Sequence, residues 1–409
     1  MKKNHIWVMA LLFAACGITS KNKTDNKTMT NFEKGTYGFD KTFLSKHIDV
    51  VELSEGDAKV LLVPAYQGRV MTSACNGDKG FSFGWINHDL IKKGEVQEHI
   101  NVFGGEERFW LGPEGGQYSI YFKPKTDFVF ENWFVPKEID TVPFEMVASD
   151  KKSAKFQKDM HLVNYSATEF DLKVEREVAL LNNKEIAAHV GAELTDVKAV
   201  AYESKNRITN TGQNDWTKEN GLLSVWMLGM FTPSPEVTVV IPVKDGDEKE
   251  LGPKVNDDYF GKIAADRLKV EGNTVFFKCD GKSRGKLGIP PLRATSFIGS
   301  WDAQNKVLTL LECHLPEGET DYVNSAWELQ EKPFAGDALN SYNDGPLEDG
   351  SQMGPFYELE SSSPAAKLKV GEHLDHVQVT YHFKGDLEKL DAIAQKTLGV
   401  SIKEIEEIF

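Results

Sequence analysis

Cysteine is scarce in this chain: four in 409 residues. Once Cys16 is set aside, Cys75, Cys279 and Cys313 remain, an odd number with no Cys-x-x-Cys spacing. That excludes a disulfide framework and a zinc site and leaves the three thiols to pack as small apolar side chains. Positive charge is also short, with 47 Lys and Arg against 62 Asp and Glu, a net charge of −15. Nucleic acid is a poor partner for such a surface. No apolar run is long enough to span a bilayer, and no fixed-period repeat points to a propeller or solenoid. Two motifs fail on inspection. GKSRG at Gly281 has the letters of a nucleophile elbow, but Pro290 and Pro291 in the following KLGIPPLR forbid the helix an elbow needs. The acidic KDGDEKE at Lys244 lacks the spacing and terminal Glu of a calcium loop and reads as a solvated turn. Neither a metal nor a cofactor is called for.

What is present begins with the leader. MKKNHIWVMALLFAAC has Lys2 and Lys3, an apolar run from Ile6 to Phe13 and small residues ending at Cys16. This is the layout of an export signal, and Phe13-Ala14-Ala15-Cys16 resembles a bacterial lipobox. Residues 1–15 are therefore expected to be a lipoprotein signal peptide, with Cys16 acylated; an ordinary secretory signal with a Cys nearby is the alternative. Removing Lys2 and Lys3 leaves 45 basic against 62 acidic residues, or −17. Residues 16–31 are polar and without aromatics, a disordered tether. The expected address is the envelope of a Gram-negative bacterium, outer membrane or periplasm, with the membrane reached through Cys16.

The body reads as strands. AKVLLVP, RVMTSA, QYSIYF, PFEMVAS, TEFDLKVEREVALL, LLSVWMLGMF, NTVFFKC and VLTLLECHL combine alternation with β-branched or aromatic residues and turn-like flanks. One helix stands out: in GDLEKLDAIAQKTLGV, Leu387, Leu390, Ile393, Ala394 and Leu398 recur at helical spacing, with Asp386 to cap the start and Gly399 to end it. Many strands without interleaved helices predict an all-β fold of large antiparallel sheets, a sandwich or barrel, with a C-terminal packing helix. No linker divides the body, so residues 32–409 are expected to be a single domain.

Three stretches carry candidate chemistry. INVFGGEERFWLGPEGGQYSIYF, from Ile100, packs two Gly-Gly pairs, Arg108, Trp110, Glu114 and Gln117 into an expected loop between strands. Glycines permit close approach, Arg can fork two hydrogen bonds, and an indole offers a flat face to a sugar ring, the equipment of a carbohydrate pocket. The competing reading is a rigid turn with a salt bridge and a core Trp. FAGDALNSYNDGPLEDG, from Phe334, gathers Asn340, Asn343, Asp344 and Tyr342 in a long polar connection of the kind that lines a site. In FYELES, period two sends Glu358 and Glu360 to one face of a strand and Tyr357 and Leu359 to the other. On a convex sheet the acids meet solvent; on a concave one they open into a cleft, where a carboxylate can accept from sugar hydroxyls or act as a base.

The order of these pieces resembles the galactose mutarotase-like (aldose 1-epimerase-like) superfamily: Gly68-Arg69 in an early strand pair, the Gly-Gly loop at Gly104, ITNTG at Ile208, the strand at Ser224, and an acid strand leading through Leu368 to Glu372 into KLKVGEHLDHVQVTYHF. The resemblance implies a β-supersandwich with a sugar site that includes Arg69 and Trp226 by position. It implies a base at Glu360, or Glu358, working with a His as general acid. Where the family places that His, this chain has Trp226 and Met227; His99 and His314 are the candidates to replace it. FGGEERFW, NSYNDGP and FYELESSSPA together resemble an uncharacterised family of exported Bacteroidota lipoproteins. Three functions follow: a lipid-anchored protein that binds a mono- or oligosaccharide; an epimerase, or a lyase-like or hydrolytic enzyme, with a Glu base; and a non-catalytic partner of glycan-utilisation proteins. If Cys16 carries lipid, cells fed radiolabelled palmitate label the wild-type protein and not Cys16→Ala; equal labelling of both would rule the anchor out.

Overall fold

Two-residue alternation dictates the longest strands. In Glu169–Leu180, Phe170, Leu172, Val174, Arg176 and Val178 point inward, while Glu169, Asp171 and Glu175 are exposed. The computed structural model describes residues 31–409; the leader, Cys16 and the tether as far as residue 30 lie outside the described residues. Residues 32–409 are a compact unit of eighteen strands and a few short helices.

The strands form three sheets, with every strand pair antiparallel. A ten-stranded sheet has the long strands Val197–Asn210 and His373–Gly385 side by side near its middle. A five-stranded sheet is ordered Gly285–Ile289, Leu339–Asn343, Tyr357–Ser362, Ser224–Phe231 and Arg108–Gly112. Val51–Glu55, Ala58–Val63 and Arg69–Ala74 form the third.

One face of the five-stranded sheet packs on the large sheet. Leu287, Leu339, Tyr357 and Leu359 share a core with Val239, Phe277, Leu311 and Cys313, and Phe109, Leu111 and Val225 share another with Phe156, Val174 and Val178. The opposite face of the large sheet is covered in part by the C-terminal helices, where Leu390, Ile393, Ala394 and Leu398 meet Leu308, Leu310, Tyr381 and Phe383. The helix Leu387–Leu398 is bounded as its sequence predicts: the Asp386 carboxylate accepts from the Glu388 and Lys389 amides at 3.0 and 3.2 Å, and Gly399 closes it at φ +74°.

Polar groups also lie between the two sheets. The Arg176 guanidinium donates to Glu107 and Asn206, and both members of the Arg176–Glu107 pair have fully buried side chains. Ser361 reaches His376 at 2.8 Å and Gln378 at 2.7 Å, tying the small sheet to the large one. Burial pulls the His376 imidazole down to about 4, so it is neutral inside the protein at ordinary pH. Cys75, Cys279 and Cys313 are free and buried, and burial pushes the Cys75 thiol up to about 11.

Three expectations fail: the loops expected around Arg108 and around Asn340 contain the strands Arg108–Gly112 and Leu339–Asn343, and one expected strand is absent. QYSIYF is not a strand, because local bonds replace the ladder: Ser119 Oγ donates to the Glu114 carbonyl and accepts from the Tyr121 amide, and the Ser119 amide closes a turn on Gly116. The helix Tyr37–His47, which buries Tyr37 and Leu44, has too weak an apolar period to announce itself. Losing the cap in Asp386→Ala is expected to cost ~1 kcal/mol. Arg176→Leu strands the Glu107 carboxylate and is expected to cost about 3–5 kcal/mol; urea unfolding of both variants checks the order, and equal costs would contradict it.

Candidate functional site

Tyr357–Ser362 is the central strand of the five-stranded sheet, and its alternation is absolute: Tyr357 and Leu359 enter the core while Glu358 and Glu360 occupy the other face. Register brings the remaining members there. Glu360 lies opposite Asn340 on one side and Leu228 on the other, Lys286 opposite Tyr342, and Trp226 opposite Trp110. Both acids are buried, Glu358 at 5 % and Glu360 at 0 % exposure. The face is thus neither a convex surface nor an open cleft; loops seal it.

Buried charges need partners. Arg108 Nη2 donates to Glu358 Oε1 at 3.2 Å, with its guanidinium 4.0 Å over the Trp110 ring. Glu360 Oε2 accepts from Lys286 Nζ at 3.0 Å and from Trp226 Nε1 at 2.8 Å, and the ammonium sits 4.7 Å from the Trp226 ring. Burial pushes the Glu358 carboxyl up to about 8, Glu360 adding to the rise and Arg108 opposing it. For Lys286, burial works against the charge, but Glu360, Glu114 and Glu358 outweigh it and raise the ammonium above its ordinary range.

Beyond Lys286 and Trp226 lies a hollow of about 20 Å³, bordered also by Glu114, Ser224, Tyr259, Asp337, Asn340 and Ser362. That is room for one water, far below a sugar ring. Asp337 accepts from Tyr259 OH at 2.9 Å and Asn256 Nδ2 at 2.8 Å, and burial pushes its carboxyl up to about 6. Around the face, buried polar atoms stand without a protein partner: Ser224 Oγ, Glu360 Oε1, Trp110 Nε1, and Arg108 Nε and Nη1.

Residues 314–338 form part of the cover. Gln117 and Gln330 exchange two hydrogen bonds, at 2.9 and 3.0 Å, Ser325 Oγ accepts from the Glu114 amide at 3.2 Å, and Trp327 stacks on Trp133. Gln117 is therefore engaged in holding the cover. Glu114 borders the hollow, its carboxyl raised by burial. Asn340 also borders it, donating to the Leu287 carbonyl at 3.2 Å. Asn343 points to the other side of the sheet and pins the Gly281 amide and Ser283 carbonyl, and Asp344 accepts from Tyr342 OH and the Gly354 amide. Arg69 donates to the Gly104 carbonyl and Gln67; burial, with Arg108 nearby, pulls it down to about 9.

The histidines are elsewhere. His99 Nδ1 binds the Trp133 carbonyl at 2.7 Å and its ring stacks on Phe134, while His314 is 62 % exposed with Glu312 as its neighbouring acid. Among the described residues, no histidine is hydrogen-bonded to Glu358 or Glu360. The sequence reading overlooked Lys286, Ser224, Tyr259 and Asp337. A signal existed for Lys286, a lone cation within the glycine and apolar residues of GKLGI; Tyr259 has none, since it arrives from a loop.

A family model described as "Family of unknown function (DUF6786)" matches residues 35–409. The chain belongs to this family. Among solved structures, this DUF6786 protein is similar to a putative aldose 1-epimerase from Escherichia coli K12, at 10% identity over 83% of this chain and 99% of that one, with a TM-score of 0.49. It is also similar to a protein from Synechocystis sp. PCC 6803, at 11% identity over 88% and 100% of the two chains, TM-score 0.49. A galactose mutarotase-like protein from Lactobacillus casei is similar at 10% identity over 82% and 100%, TM-score 0.47. No curated protein matches.

A carboxyl whose pKa is raised by folding favours the fold only while protonated. For Glu358 that contribution is complete below the ordinary 4.5 and is lost as pH rises through about 8. Glu358→Gln removes the loss. Its unfolding free energy is expected to gain on wild type by up to ~1.4 kcal/mol per pH unit across that window, as read by denaturant titrations at pH 4.5, 6, 7 and 8.5; a constant difference would contradict the assignment.

Proposed function

We propose that this DUF6786 protein is a lipid-anchored envelope protein that binds carbohydrate at the covered face of its five-stranded sheet. The observation that carries the reading is the set of unpartnered buried polar atoms, Ser224 Oγ, Glu360 Oε1, Trp110 Nε1 and Arg108 Nε and Nη1, gathered on one face with two indoles. Unsatisfied buried polar groups cost free energy, and a polyhydroxylated ligand supplies both donors and acceptors to satisfy them. Trp226 and Trp110 add apolar faces suited to the C–H surface of a sugar. Entry of a whole ring requires the part of the cover around Trp327 and Gln330 to yield, which means releasing the Gln117–Gln330 pair and the Trp327 stack.

A second reading, an epimerase-like enzyme with Glu360 as base, is favoured by the two carboxyls held side by side with unlike partners. Against it stands the lack of a histidine beside either acid among the described residues.

A glycan array probed with the detergent-solubilised mature protein, followed by NMR of anomer exchange on any hit, separates the two readings. Binding without accelerated exchange, weakened at least tenfold in Glu360→Gln, is the expected result. Accelerated exchange that disappears in Glu360→Gln would replace the binding reading with the enzymatic one, and an array without hits would remove both.

A further inference from the structure

Resting on the carbohydrate reading, we propose that the hollow between Asp337 and Lys286 seats a single hydroxyl arm of the ligand, with Asp337 as its acceptor. Glu360 then serves as a positioning residue behind Lys286. The placement of the walls carries this. Lys286, Trp226, Ser224 and Asp337 border the hollow, whereas Glu358 and Glu360 do not. Glu360 holds the ammonium and the indole that border it, and Glu358 is bound to Arg108.

Asp337 is built for the task. It is 7 % exposed, and each of its oxygens accepts one bond, Oδ1 from Asn256 and Oδ2 from Tyr259. An ionised carboxylate has about four acceptor positions, so the two donors fix its orientation and leave capacity for a ligand hydroxyl. The sheet is shaped to admit it: a Cβ on Gly288 would lie 2.0 Å from Asp337 Oδ2, so any other residue there would displace the carboxylate. The Asn256 backbone pairs with Gly288 in both directions at 2.8 Å, which anchors the loop that supplies Asn256 and Tyr259. Across the hollow, the Ser224 hydroxyl is 1 % exposed and has no protein partner.

Size selects the chemical class. About 20 Å³ accepts a hydroxyl with its carbon and not a ring, so the ligand enters end-on, as one arm of a neutral sugar. The charged and titratable groups acting on Asp337 are Lys286, Tyr259 and Asp258, and Glu114 shares the hollow. Lys286 stabilises the ionised acceptor, and Glu360 holds Lys286 in place to do so.

The test uses the full mature protein and isothermal titration with D-glucose, D-galactose and D-mannose, together with the monodeoxy derivative at each position. One hydroxyl is expected to stand out, its removal weakening wild-type binding at least tenfold. Asp337→Asn is expected to bind the parent sugar at least tenfold more weakly and to be indifferent to that deoxy change. Wild-type affinity is expected to rise severalfold from pH 5 to pH 7 and to be flat in Asp337→Asn, since the carboxylate is a stronger acceptor than the protonated acid. Gly288→Ala, which keeps the carboxylate and displaces it, is expected to reproduce the loss with an unchanged circular dichroism spectrum. Wild-type-like affinity and pH dependence in Asp337→Asn would overturn this inference alone; wild-type protein that binds none of the sugars would overturn it together with the carbohydrate reading.

Discussion

Everything at the candidate site depends on ionisable side chains that have been taken out of water and paired. Glu358 with Arg108, and Glu360 with Lys286, lie on one face of a central strand with almost no exposure. Such pairs seldom add stability relative to apolar side chains of the same volume, because desolvation offsets the attraction. Their presence on this sheet therefore marks a face shaped by something other than stability. The other face of the same strand puts Tyr357 and Leu359 into a close-packed core. The sheet is held on one side so that it can carry charge on the other.

The protein has two buried polar layers, and both hold unpartnered atoms: Tyr202 OH and Thr380 Oγ1 stand beside the network between the sheets. Between the sheets, Glu107, Arg176, Ser204, Asn206 and Gln378 satisfy one another, as an interior network must to be tolerated. On the covered face, Ser224, Arg108, Trp110 and Glu360 each retain an atom without a partner. What sets the covered face apart is that its unpartnered atoms surround two buried carboxyls and a hollow. The cover is held by a few specific bonds, Gln117 to Gln330 and Glu114 to Ser325, rather than by a continuous ladder.

Asp337, Tyr259 and Lys286 come from three separate stretches, yet they meet because Gly285–Ile289 is an edge strand. One side pairs with Leu339–Asn343, and the loop bearing Asn256 and Tyr259 closes on the other. An edge free of further strands is what lets a loop deliver side chains over the sheet. Gly288 completes the arrangement by leaving the Asp337 carboxylate room to approach.

Local pattern reaches as far as the side-chain period and the caps do. Alternation in FYELES, TEFDLKVEREVALL and LLSVWMLGMF, and the Asp386 and Gly399 ends of the last long helix, depend on backbone geometry and immediate neighbours, so they are legible in one dimension. The same reasoning misjudged QYSIYF, where side chains compete with the ladder for hydrogen bonds. The amino-acid order determined that Glu358 and Glu360 share a face and that the fold is all-β. Only the tertiary structure decided that the acids' face is sealed instead of open, which cations neutralise them, and that Asp337 and Ser224 stand at the hollow while His99 and His314 do not. Those outcomes turn on pairings between strands and loops that are not neighbours in the chain, and no local periodicity encodes the solvent exposure of a face covered by other segments.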